Sequence, residues 1–215
     1  MKSKLQKCFK ILTVGVLFVL SAQLLAQEVD NKDRDMGLLV QIKRTGTNFY
    51  VNSGNKKYEL GDYAGAISAY TKAIEMEPNS KEAYFNRANA KNRNNPFGGA
   101  NFNYQAWELK VLEAAKDYTK AIELDPSFAD AYNNRSLMYI QVCSASEELK
   151  QSAEDDINRA IQINPNFAIA YYNRGYLGFL YCKKIDPRKE YATALQLDPS
   201  IAKFHDYIAQ MESND

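Results

Sequence analysis

Three arginines recur in one setting along the chain, each inside an Asn-Arg pair: Arg87, Arg135 and Arg174. A row of guanidinium groups at one repeated place can bind a string of anions, or it can tie its own helices together. The spacing favours the second. An acid stands in the following segment each time (Asp117, Asp156 and Glu190), one residue before a bulky side chain. The first equivalent segment has Ser53 and Ala69 instead and lacks both partners together. Shared presence and shared absence predict one salt bridge within each segment pair, worth no more than about 1 kcal/mol if half exposed.

The rest of the reactive inventory does not assemble into a site. His205 is the single histidine, so a histidine metal cluster or a hydrolase triad would have to use it, and it reads as a surface or packing residue. The chain has no GxxxxGK[ST] phosphate loop, no HExxH and no CxxC, and Gly98-Gly99 has no strand before it. Asp155-Asp156 and Glu147-Glu148 are adjacent on an expected helix, where neighbours point apart, and are expected to face solvent. No catalytic residue, metal or cofactor is expected, and the chain reads as a non-enzyme. The formal charge of +1 falls to about −3 once Lys2, Lys4, Lys7 and Lys10 are set aside. A near-neutral body carries no electrostatic footprint for nucleic acid.

Those four lysines precede the apolar run Ile11–Leu20, and Ser21, Ala22 and Ala26 follow it. Residues 1–26 therefore read as a secretory signal peptide cut near Ala26 and Gln27. That places the mature chain in the periplasm or outside the cell, with no stable membrane insertion. The alternative is an uncleaved anchor, although the run reaches Ala26 only by including Ser21 and Gln23. Cys8 lies before the run, where no lipid attachment is expected. Export would expose Cys143 and Cys182 to an oxidising compartment, which leaves a disulfide open.

The chain also repeats itself. TKAIEMEPNS, TKAIELDPSF, NRAIQINPNF and TALQLDPS close four segments, and their prolines Pro78, Pro126, Pro165 and Pro199 lie 48, 39 and 34 residues apart. FYVNSGN, AYFNRAN, AYNNRSL and AYYNRGY open the same four segments. With 34 as the period, the units run 47–80, 81–128, 129–167 and 168–201, the second carrying 14 extra residues and the third 5. Each opens on an aromatic (Tyr50, Tyr84, Tyr132, Tyr171), followed four residues later by a small side chain (Gly54, Ala88, Ser136, Gly175). Alanines recur in the second half at 73, 121, 160 and 194, beside a larger knob, Tyr70, Tyr118, Ile157 or Tyr191. Small residues let two antiparallel helices approach, and large ones fill the holes between ridges.

This pattern resembles the tetratricopeptide repeat over about 155 residues. The resemblance implies an all-α fold, a right-handed α-solenoid of four helix-turn-helix repeats. Ser80, Ser127, Asn166 and Ser200 are N-cap candidates for each next helix. Asp186-Pro187 predicts that the last second helix starts late and is short. Ile201, Phe204, Ile208 and Met211 predict a capping helix and tail over 202–215, which covers the last apolar face. Residues 27–46 read as a polar lead, with Leu38–Ile42 able to fold against the first unit. Both insertions fall between the helices of their own unit and emerge at the same end. Trp107, Val111 and Tyr118 keep helical spacing and lengthen one second helix by about two turns. Ser144 with Glu147 makes a capping box that starts another. In stacked hairpins Cys143 and Cys182 would lie about 8–10 Å apart, beyond the roughly 7 Å a disulfide spans, unless the insertion shifts Cys143.

The resemblance also implies that the first helices line a concave groove for a peptide or protein partner. The inward face expected from spacing runs from Asn48, Val51, Asn55 and Tyr58 to Ile169, Tyr172, Tyr176 and Phe179. The partner-binding residues expected are Asn55, Phe85, Asn89, Tyr172, Tyr176 and Phe179. Relatives that clamp the carboxylate of cytosolic heat-shock chaperones use five basic and amide residues, of which only Asn55 and Asn86 match. Val51, Asp130 and Asn134 stand where the basic members belong. The reading is an interaction module of the cell envelope or exterior, a scaffold or an escort. The alternative is a structural subunit embedded in an envelope assembly through its convex face or its insertions.

Overall fold

Four of the six Xaa-Pro steps in the chain end a helix in the same way. Proline disfavours the α conformation in the residue before it. Glu77, Asp125, Asn164 and Asp198 accordingly turn extended, with φ between −147° and −130° and ψ between 90° and 103°. The structure is a computed structural model and describes residues 35–95, 97, 102–142, 146–181 and 184–203, with only the backbone at 35–38 and 40. The signal segment, Cys143, Cys182, Ser144, His205 and the expected cap beyond Lys203 lie outside the described residues.

Eight α-helices occupy them: α1 (Asp35–Glu59), α2 (Tyr63–Met76), α3 (Lys81–Arg93), α4 (Tyr104–Leu124), α5 (Ala129–Val142), α6 (Glu147–Ile163), α7 (Ala168–Leu180) and α8 (Pro187–Leu197). A 3-10 turn, Pro199–Lys203, follows. Consecutive helices pair as α1/α2, α3/α4, α5/α6 and α7/α8, and each pair stacks on the next. The fold is an α-solenoid of four hairpins. No helix among the described residues is long and apolar enough to cross a membrane.

The repeated small residues sit where helices touch. Ala66, Ala73, Ala88, Ala114, Ala121, Ala153, Ala160 and Ala194 are fully buried. A Cβ at Gly54 would fall inside the Tyr70 ring. The knobs Tyr70, Tyr118 and Ile157 are 2% exposed or less. In the last hairpin Tyr191 is only half-buried.

Two expectations need correction. The lead 27–46 is helical from Asp35 onward, because α1 runs unbroken into the first unit and packs Gly46 against Met76 at the far end of α2. Of the four N-cap candidates only Ser80 caps, accepting the Ala83 N–H at 3.3 Å. Ser127, Asn166 and Ser200 instead donate their N–H to the side chains of Asp125, Asn164 and Asp198, at 2.9, 3.1 and 2.9 Å. These are Asx turns, and Glu77 forms none because its carboxylate stands one methylene further out.

The first insertion is divided between a longer helix and a longer connection before it, and the second mainly lengthens a helix. α4 has 21 residues against 14 in α2, starts from Asn103 as N-cap, and its Trp107, 6% exposed, joins one core with Met138 and Val142 of α5. Leu149, near the start of α6, packs on that core, so the two additions meet. Asn95 closes the loop by donating to the Trp107 carbonyl at 3.0 Å, and the Trp107 indole N–H donates back to the Asn95 carbonyl at 3.2 Å. α6 starts from Ser146, not Ser144, with the Leu149 N–H at 3.3 Å. α8 has 11 residues and is capped by Asp186 with Pro187 first, as that pair implies.

Candidate binding groove

The arginine row sits between the helices, each guanidinium bonded to an acid of its own hairpin. Arg87 donates Nε and Nη2 to the two Asp117 oxygens at 2.8 and 2.7 Å, and Arg135 does the same to Asp156. Arg174 directs both groups to one Glu190 oxygen, at 2.9 and 2.7 Å. The predicted pairs form. They are more buried than half-exposed bridges, since the Arg135 and Asp156 side chains are 16% and 7% exposed, and Asp156 does not face solvent as Asp155 does. Burial pushes the Asp156 carboxyl above its ordinary range, against the pull of the Arg135 fork.

Each guanidinium has a third contact that the sequence reading missed. Nη1 reaches Thr71 from Arg87, Thr119 from Arg135 and Asn158 from Arg174, at 3.2, 2.9 and 3.1 Å, always 16 residues upstream. The partner lies on the second helix of the preceding hairpin, so one arginine fastens both its own hairpin and the stack. The signal was available: these residues open the repeated words TKAI, TKAI and NRAI. The fourth hairpin, the last among the described residues, has Ala192 there.

Asparagines form a second inter-hairpin row. Asn55 Oδ1 accepts from the Tyr70 hydroxyl at 2.8 Å and from Asn86 Nδ2 at 3.1 Å. One hairpin on, Asn89 Oδ1 accepts from the Tyr118 hydroxyl at 2.6 Å and from Asn134 Nδ2 at 3.0 Å. The third hairpin has Leu137 and Ile157 in the corresponding places, and Asn173 bonds Asn133 instead, at 2.8 Å. The Oδ1 atoms of both asparagines expected to meet a partner are thus already shared by two donors. Their Nδ2 groups donate to no atom among the described residues and remain for a ligand.

Asn55 and Asn89 open on a pocket of about 180 Å³ between α1 and α3, lined also by Tyr58, Glu59, Tyr70 and Asn86. Burial above all, with Tyr58 and Glu59 adding to it, pushes the Tyr70 phenol up to about 12. Phe85 stands apart from this pocket. Its ring packs on Tyr118 and Phe128, with centroids 5.7 and 4.8 Å away, and so works in the core as well as on the inner face. On α7, Tyr172, Tyr176 and Phe179 are partly buried. Tyr172 leans on Tyr191 at 6.3 Å and on the Ala168, Ala194 and Ile201 cluster, while Tyr176 packs beside Ile157 and Leu177. Of the expected residues, Asn55 and Asn89 thus line an amide pocket at the first two hairpins, Phe85 packs on core rings, and Tyr172, Tyr176 and Phe179 stand partly buried on the fourth hairpin. Among the described residues no group of three His, Cys, Asp or Glu side chains could hold a metal ion.

A family model described as TPR repeat matches residues 54–95. No curated protein matches the chain. Among solved structures the chain is similar to MamA, with a TM-score of 0.58 and 20% identity over 79% of this chain and 88% of that one. It is similar to TTC0263, a thermophilic TPR protein of Thermus thermophilus, at TM-score 0.59 and 17% identity over 77% and 84%. It is also similar to the first TPR of Spaghetti (RPAP3) bound to the HSP90 peptide SRMEEVD, at 0.52 and 23% over 62% and 91%. At these identities the likeness is one of fold.

Proposed function

We propose that this chain, which is a tetratricopeptide-repeat protein, holds a segment of a partner protein along its first helices and does so outside the cytoplasm. The observation that carries the reading is the pocket between α1 and α3, where two amide N–H groups are left over after their carbonyls have been tied down. Donors held this way meet backbone carbonyls without demanding a sequence. Tyr172, Tyr176 and Phe179 would extend the same surface with large, nearly rigid contact area. The fold is able to hold a short segment, since the similar Spaghetti domain is bound to one. The basic positions of the chaperone clamp are Val51, Asp130 and Asn134 here, so the partner is not that carboxylate tail.

A photo-crosslinking residue at Tyr58 or Tyr176, introduced into the chain expressed in its own cells, is expected to capture one partner that the same residue at Lys116, exposed on the second helix α4, does not. Capture from Lys116 alone would favour the structural subunit buried through its convex face. Export rests on Lys2, Lys4, Lys7 and Lys10, the apolar run after them and Ala26. Intact mass of the exported protein is expected to start at Gln27, and a mass that retains residues 1–26 would make the segment an anchor.

A further inference from the structure

The first helices of the second to fourth hairpins treat their two signs of charge differently, whereas α1 also exposes Lys43, Arg44 and Lys56, which form no ion pair among the described residues. Every cation of α3, α5 and α7 is already engaged inside the protein. Lys81 bonds Asp125 at 2.6 Å, Lys91 bonds Asp117 at 2.8 Å, and the three repeated arginines hold their own acids. Arg93 lies over the Tyr63 ring, 5.8 Å from its centroid. The acids are less occupied. Glu82 stands 3.9 Å from a lysine whose closer partner is Asp125. Glu59 and Asp130 are exposed and form no ion pair among the described residues.

Among the described residues Glu59 is also the one charged side chain lining the pocket. Beside it stand the Tyr58 ring and the Asn86 side chain, whose Nδ2 is spent on Asn55 and whose Oδ1 accepts no bond among the described residues. A carboxylate, an amide oxygen and an aromatic face together suit an ammonium head on an apolar stem. The Asn55 and Asn89 Nδ2 groups next to them suit the backbone carbonyls on either side of that stem.

We propose that the pocket between α1 and α3 takes a lysine of an extended basic segment in the partner protein, with its ammonium at Glu59 and Asn86 and its backbone carbonyls on Asn55 and Asn89. This rests on the groove reading above and gives the partner a chemistry opposite to that of an acidic tail. Long-range attraction to the spare acids would speed encounter and weaken with salt.

The probe is a capped, fluorescent (Lys-Ser)4 peptide, compared with (Gln-Ser)4 and (Glu-Ser)4 of the same length. The lysine peptide is expected to bind the mature chain, to shift the Asn55 and Asn89 side-chain amide resonances, and to weaken as salt rises to about 0.5 M. Glu59→Gln, at an exposed helix end, is expected to cost it about fivefold, the size of one partly exposed ion pair. Equal affinity for (Gln-Ser)4, with the same resonances moving, would overturn the lysine site and leave the groove standing. Binding of (Lys-Ser)4 that ignores Glu59→Gln and leaves both amides unmoved would overturn the two together. No binding at millimolar peptide would overturn the lysine site.

Discussion

Asp156→Ala is expected to lower the unfolding free energy by about 3–5 kcal/mol, several times the value of an exposed ion pair. The reason lies in what is left behind. Arg135 is 16% exposed and held by both Asp156 oxygens, by Thr119, and by the Tyr132 and Tyr139 rings at 5.7 and 5.9 Å. Removing the acid strands a guanidinium that cannot lose its charge in a largely dry place. The double variant Arg135→Met/Asp156→Leu is expected to recover most of the loss, since apolar side chains of similar size replace a buried pair at little cost. Urea melts of the four chains in the cycle give the coupling directly. A single-variant loss below about 1 kcal/mol would mean that the pair behaves as a surface bridge.

Tyr118→Ala is expected to cost a similar amount, about 3–5 kcal/mol, by leaving a cavity where four elements meet. The ring is 1% exposed, packs edge-on to Phe85, and belongs to the largest core together with Val111 and Met138. Burial raises its phenol far above the ordinary tyrosine range, so it keeps its proton and donates to Asn89. Tyr118→Phe keeps the volume and removes only that bond, with an expected loss of about 1 kcal/mol. Tyr104→Ala, at a ring 42% exposed at the start of the same helix, is the control. An alanine at 118 no more costly than one at 104 would refute the assignment of Tyr118 as the knob of the second hairpin.

Repetition made much of this legible in the amino-acid sequence. Four words of the TKAI type, four prolines and the alternation of small and large residues specify paired helices, because a helix face is a matter of period and period is written in one dimension. The arginine–acid pairs were legible for a related reason: partners that come and go together in four copies of one unit must meet inside the unit. Their separations of 30, 21 and 16 residues follow the insertions and would hide them from any fixed-spacing search. The contacts between units were not legible in the same way. Thr71, Thr119 and Asn158 belong to one hairpin and serve the next, so neither copy alone implies the bond. Ser127 looked like a helix cap and became the donor of an Asx turn, because the acid two residues earlier takes both its N–H and its hydroxyl proton, at 2.9 and 2.6 Å. Asn55 and Asn89 were placed on the inner face by spacing, but only stacking brings Asn86 and Asn134 onto their carbonyls and leaves the amide N–H groups outward. Helix position follows from the order of residues along one chain segment. The free valence of a groove side chain follows from which neighbours have already bonded it, and that is decided when the hairpins stack.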